Sequence, residues 1–246
     1  MGPILKNHPF AVEAFFERSL VLTFAVPKEE LQRFIPECLK LDTFIDRWAF
    51  IAVAMVQTKN LRPKGFPAIL GNDFILIGYR IFVHYTSVSG KQLRGLLILK
   101  SETDKKFMEW LGNLFTRYSY TTTDITQHQT DGVLSISSNK SGIDLKVATN
   151  LGAINLPSGS AFSTWKEARR FAGPLPFTFS YDTGTREVLI VEGVREHWQP
   201  SPVQVLSYEI GLLKTLGLKD CKLASAFIVE QIPYHWKKGR VEQWNG

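Results

Sequence analysis

Phe74-Ile75-Leu76-Ile77-Gly78-Tyr79-Arg80-Ile81-Phe82-Val83-His84-Tyr85 is the stretch on which the fold turns. Ile75, Ile77, Tyr79, Ile81 and Val83 form one alternating set, and Leu76, Gly78, Arg80, Phe82 and His84 form the other. Side chains on a strand alternate between faces, so this period of two specifies a long β-strand with one solidly apolar face and one mixed face. Val88-Ser89-Gly90 follows and suits a hairpin loop with Gly90 in the left-handed conformation. Folding the next strand back across that loop sets Arg80 opposite Ile98, Lys100 opposite Gly78 and Glu102 opposite Leu76. Arg80, Lys100 and Glu102 then share one face, and the missing side chain at Gly78 leaves room beside Lys100 for a ligand atom. A slip of one residue would send the second strand's set to the opposite face.

Upstream, the N-terminal segment reads as helical and Leu20 to Val26 as an apolar strand. Pro27-Lys28-Glu29-Glu30-Leu31 opens a short helix, with Pro in its first turn and acidic residues at the positive end of its dipole. Leu39 to Phe44 is the next strand. Trp48 to Val56 is apolar on both alternating sets and predicts a strand covered on both faces. Leu61 to Pro67 is too rich in Pro and Gly for a regular element.

Downstream, Thr103 to Phe115 carries Phe107, Met108, Leu111 and Leu114 at helical spacing. Arg117 to His128, Val133 to Ser138 and Ile143 to Thr149 read as a strand meander with turns at Asp131-Gly132 and Asn139 to Gly142. A second helix runs from Trp165 to Ala172. Thr164 and Glu167 fit a capping box at its start, and Gly173 is its stop. Strands follow at Phe177 to Tyr181 and Val188 to Glu192, with two further elements near Val203 to Leu216 and Leu223 to Gln231. Many strands, few helices and no βαβ rhythm predict one α+β domain over residues 1–246. It is mainly β, antiparallel or mixed, and curled into a β-barrel with flanking helices.

The chain has 246 residues and a net charge of +6. Its basic residues are scattered apart from Lys105-Lys106, Arg169-Arg170 and Lys237 to Arg240, and no basic stripe interleaves with aromatics, so nucleic acid is not an expected partner. No window approaches the ~20 apolar residues of a membrane span. Lys6, Glu13 and Glu17 interrupt any leader pattern, which predicts a cytoplasmic protein with no membrane partner. Cys38 and Cys221 read as two buried thiols. The five histidines lie singly, and no dinucleotide, phosphate-loop or nucleophile-elbow motif is present, so neither a metal nor a cofactor is expected.

Arg80, Lys100 and Glu102 are the one constellation that carries chemistry. Two cations beside a carboxylate in a partly closed barrel would bind a carboxylate-bearing molecule, because arginine forks onto such anions. A lysine beside other cations can also become a nucleophilic amine, which makes Lys100 the candidate catalytic residue. The same residues equally fit alternating charge on the wet face of a hairpin, neutralised across strands. Glu196-His197-Trp198 admits acid–base chemistry, and also plain packing of His against Trp.

Several segments carry a family resemblance: Leu39 to Phe44, Trp48-Ala49-Phe50, the loop to Gly65-Phe66-Pro67, and Phe74 through Arg80 to Val83. The later ones are Gly173 to Phe179, Gly193-Val194-Arg195 and Ile232 to Trp236. Together they resemble an uncharacterised, mostly bacterial domain-of-unknown-function family related in fold to acetoacetate decarboxylase. The resemblance spans nearly the whole chain and implies an acetoacetate decarboxylase-like β-barrel with flanking helices.

In that decarboxylase, a Schiff-base lysine opens the strand after the helix. Here the corresponding place reads Thr116-Arg117-Tyr118-Ser119, and arginine cannot form the imine. Where relatives often carry glutamate and asparagine, this chain has Leu76 and Gly78, while Arg80 is retained. The expectation is therefore a small-molecule pocket for a carboxylate or oxygenated organic acid, with Arg80 as anchor and Lys100, Glu102, Arg117 and Tyr118 as further ligand-binding residues. The alternatives are a lyase acting on a keto or enol acid through Lys100, and a structural protein or homo-oligomer.

Overall fold

The computed structural model describes residues 5–149, 154–173 and 175–245. Its longest strands are β1 (Val12–Pro27), β3 (Trp48–Pro63), β4 (Asn72–Thr86), β5 (Gln92–Thr103) and β14 (Lys222–Trp236), with the short β2 (Leu39–Leu41) on β4. With β10 (Phe177–Asp182) and β11 (Glu187–Arg195) they make a ring of pairings: β14–β1–β3–β4–β5–β10–β11, closed by β11 on β14. All contacts in the ring are antiparallel except β5 with β10. A four-stranded sheet of β7 (Thr126–Thr130), β8 (Val133–Ser138), β9 (Ile143–Ala148) and β13 (Gln204–Ile210) packs against it. β6 (Tyr120–Thr122), β12 (Ser201–Pro202) and β15 (Arg240–Gln243) add short edges. The helices are α1 (Lys28–Gln32), α2 (Lys106–Phe115), α3 (Trp165–Phe171) and α4 (Gly211–Thr215). The architecture is α+β and mainly β, with both parallel and antiparallel pairs. None of the described helices is long and apolar enough to cross a membrane.

Alternate residues of the ring strands go to two different places. On β4, Ile77, Tyr79, Ile81 and Val83 join one core with Leu134, Ile136, Leu145 and Val147 of the second sheet. Leu76, Arg80 and Phe82 turn the other way and line a cavity. Burial of this kind is worth about 25 cal/mol per Å² of apolar surface, and it is what holds the strand's register. α2 covers one end of the cavity with Met108 and Leu111. α3 packs at another end in a phenylalanine cluster, with Phe50 and Phe162 stacked 5.2 Å apart and Phe171 beside them. Thr164 caps α3 by accepting from the Glu167 amide, as its sequence predicts.

Three expectations are corrected. The N-terminal segment is β1 from Val12 onward, not a helix. Its Ala14 and Phe16 are buried, while Glu13 and Arg18 pair across strands with Arg62 and Glu230. α2 begins at Lys106 because Glu102 and Thr103 remain paired to β4, after which Asp104 accepts from the Ile75 amide. The segment predicted as one strand from Arg117 to His128 is divided, since Ser119 takes a positive φ of 51° and β6 and β7 belong to different sheets.

Candidate functional site

The cavity measures about 280 Å³ and receives side chains from every strand of the ring. Ala52, Ala54 and Val56 of β3, with Phe74 and Leu76 of β4, supply an apolar wall. Its polar groups include Arg80, Arg195, Tyr118, Tyr120, Tyr234, Thr178, Ser101 and His8. No aspartate, glutamate or lysine lines it among the described residues. Arg62, at one edge, is held by Glu13 at 2.7 Å.

Arg80 sits enclosed by protein, and the accessible surface it retains belongs to the cavity. It forms no ion pair among the described residues, and its Nε is buried without a hydrogen-bond partner. Burial lowers its pKa from the ordinary arginine value, with the nearby phenols of Tyr234, Tyr120 and Tyr118 opposing the shift. Arginine stays charged even so. An uncompensated buried charge is strongly unfavourable, and an anion in the cavity would offset that cost.

Tyr118 and Tyr120 are neutral donors: burial raises the pKa of Tyr118, and it pushes Tyr120 up to about 12. The Tyr118 hydroxyl shares a 2.9 Å hydrogen bond with Thr178 Oγ1. His8 is buried, has a positive φ of 52°, and leaves Nδ1 without a partner. Burial holds its pKa below 6.5, so it is a neutral imidazole at pH 7.

Three glycines make the room that these groups occupy. A Cβ at Gly78 would lie 2.8 Å from Arg80 Nη2. One at Gly112 would overlap the Tyr120 ring, and one at Gly193 would overlap the Tyr234 hydroxyl. Close approach is the requirement at each position.

Of the residues singled out by sequence, Arg80 and Tyr118 line this cavity and Lys100, Glu102 and Arg117 do not. The hairpin register explains the first two exclusions. Arg80 pairs with Ile98, as expected, but Tyr79 pairs with Lys100, leaving Leu99 as an extra residue in β5. This β-bulge carries Ser101 to the cavity face and swings Lys100 and Glu102 to the Tyr79 side. There Glu102, 2 % exposed, accepts from the Tyr79 hydroxyl at 2.9 Å and from Lys100 Nζ at 2.5 Å. Arg117, adjacent to Tyr118, points away and reaches Asn7 Oδ1 at 2.6 Å, Glu187 at 3.1 Å and Asp182 at 3.6 Å.

His84 and Arg94 face one another at the hairpin end, and both bond to the buried Asp42. His197 is exposed on a positive φ, while its neighbour Trp198 lines the cavity.

Sequence reading missed Arg195, Tyr120, Tyr234 and His8. Arg195 and Tyr234 lie inside two segments that carried the family resemblance, Gly193-Val194-Arg195 and Ile232 to Trp236. Their shared role became visible only where β11 pairs with β14, Arg195 opposite Tyr234.

Several solved structures share this fold at low identity. Acetoacetate decarboxylase from Legionella pneumophila subsp. pneumophila str. Philadelphia 1 matches at 10% identity and a TM-score of 0.64, covering 95% of this chain and 88% of its own. An acetoacetate decarboxylase-like enzyme from Sphingomonas wittichii RW1 matches at 13% identity and a TM-score of 0.57, covering 97% and 94%. The enduracididine biosynthesis enzyme MppR, solved with pyruvate, matches at 11% identity and a TM-score of 0.56, covering 95% and 90%. No curated protein sequence matches the chain. The family model DUF2071, described as "Uncharacterized conserved protein (COG2071)", matches residues 14–235. With that match and the acetoacetate decarboxylase-like fold just described, the chain belongs to the DUF2071 family.

Proposed function

We propose that the chain, folded as one domain in the cytosol, binds a small organic acid with an apolar body, its carboxylate on Arg80. The observation that carries this reading is the Arg80 guanidinium, enclosed in a largely apolar cavity without an ion-pair partner among the described residues. A carboxylate accepting from it would supply a charge-assisted bond worth about 1.5–3 kcal/mol. Tyr118, Tyr120 and Tyr234, which line the same cavity, would donate to that anion, and the apolar walls would take the rest of the molecule.

Imine chemistry is not part of this reading. Among the described residues no lysine lines the cavity, and Lys100 is engaged by Glu102 on the other side of the strand.

The test is calorimetry and thermal shift with a panel of carboxylic acids, pyruvate among them, each against its uncharged amide. Ligand at 100 times Kd stabilises by about 2.7 kcal/mol. Acids are expected to raise Tm and amides are not, and Arg80→Met is expected to abolish the shift. Equal shifts with acid and amide, or none with any acid, would overturn the reading.

A further inference from the structure

We infer that the ligand carries a second acid group, held by Arg195, so that the occupant is a dicarboxylate with a short apolar spacer. The inference rests on the Arg80 reading above and extends it. Arg195, at the end of β11, lies with its guanidinium 4.8 Å from the Trp198 ring centroid and 5.7 Å from that of Tyr234. It forms no ion pair among the described residues, although Glu196 follows it directly and Glu13 lies in the adjoining groove. Glu13 is already engaged by Arg62 at 2.7 Å.

Charge accounting inside the cavity reaches the same conclusion. Arg80 and Arg195 contribute two positive charges, no carboxylate lines the wall among the described residues, and the third arginine is neutralised. Burial lowers the pKa of Arg195, and the Arg80 charge lowers it further against the opposing phenol of Tyr234. One carboxylate would leave one of the two uncompensated, whereas a diacid satisfies both.

Position separates the two anchors. Arg195 and Tyr234 line both the cavity and an outer groove of about 440 Å³, while Arg80 belongs to the cavity alone. The first acid group therefore sits deep and the second lies toward the groove, with the spacer between them along the apolar wall. Tyr234 shares the cavity wall with Arg80 and has the Arg195 guanidinium 5.7 Å from its ring centroid, which keeps the spacer short.

The experiment is calorimetry on the intact chain with the aliphatic dicarboxylates from succinate to adipate, each against the monocarboxylate of equal chain length. At least one diacid is expected to bind about tenfold or more tightly than its monoacid. Arg195→Met is expected to erase that advantage, and Arg195→Lys to restore part of it. Diacids and monoacids of equal affinity in the unmodified protein would overturn the inference and leave Arg80 as a monoacid anchor. Absence of binding by every acid would instead remove the Arg80 reading, and this inference with it. The comparison in the unmodified protein stands even if Arg195→Met fails to fold.

Discussion

The Arg80 guanidinium lies back over Gly78: a Cβ built on that glycine would fall 2.8 Å from Nη2 and 2.9 Å from Nε. Two residues apart on one strand face, the pair places a cation in the cavity by leaving out a side chain. The obstruction is the far end of a flexible arginine, which can swing aside. Gly78→Ala is therefore expected to change Tm little while weakening acid binding about tenfold, or about 1.4 kcal/mol. A Gly78→Ala protein that binds acids normally would show that the guanidinium need not occupy that position.

Glu102 tests the bulge. It is buried against Tyr79 and Lys100 and lies off the cavity. Glu102→Gln weakens the charge-assisted bond and leaves Lys100, about a third of whose side chain is exposed, to solvent screening. A loss of about 1–3 kcal/mol is expected, and each kcal/mol lowers Tm by roughly 2–4 °C at this chain length. Acid affinity should remain that of the unmodified protein. Lost affinity with unchanged Tm would return Glu102 to the site.

His8 makes stability depend on pH. Its folded pKa lies below the unfolded value of 6.5, so the unfolded chain takes up the proton more readily. That contribution is intact above pH 6.5 and is lost as pH falls through the lowered folded value. Thermal melts from pH 8 to pH 5 should show a smaller acid-side decline in His8→Asn than in the unmodified protein. Parallel curves would mean that His8 carries no such penalty.

Both cysteines are free, and burial pushes each thiol up to about 11. The thiolate is the reactive form, so alkylation at pH 7.5 should be slow in the native protein and rapid in denaturant. Rapid native labelling of Cys38, the more buried of the two, would contradict its placement in the core.

Much of the architecture is written locally. The alternation from Ile75 to Val83 specifies β4 without reference to any distant residue, because a strand presents every second side chain to the same face. Val133 to Ser138 is found as read, and Thr164 caps its helix as its spacing with Glu167 predicts. The same local rule places Arg80 on the face that it occupies, whereas Tyr118, in the bend before β6, was reached through the family resemblance.

What only the tertiary structure decided is the partnership between elements. One extra residue, Leu99, reverses the facing of Lys100 and Glu102, and nothing in the local pattern of β5 marks it, since apolar residues run unbroken from Leu96 to Leu99. Arg195 and Tyr234 are thirty-nine positions apart and meet because β11 closes on β14. Periodicity reports which face a side chain takes within its own strand. Which strands adjoin, and in what register, is set by the burial of whole sheets, and that energy is summed over residues far apart in the chain.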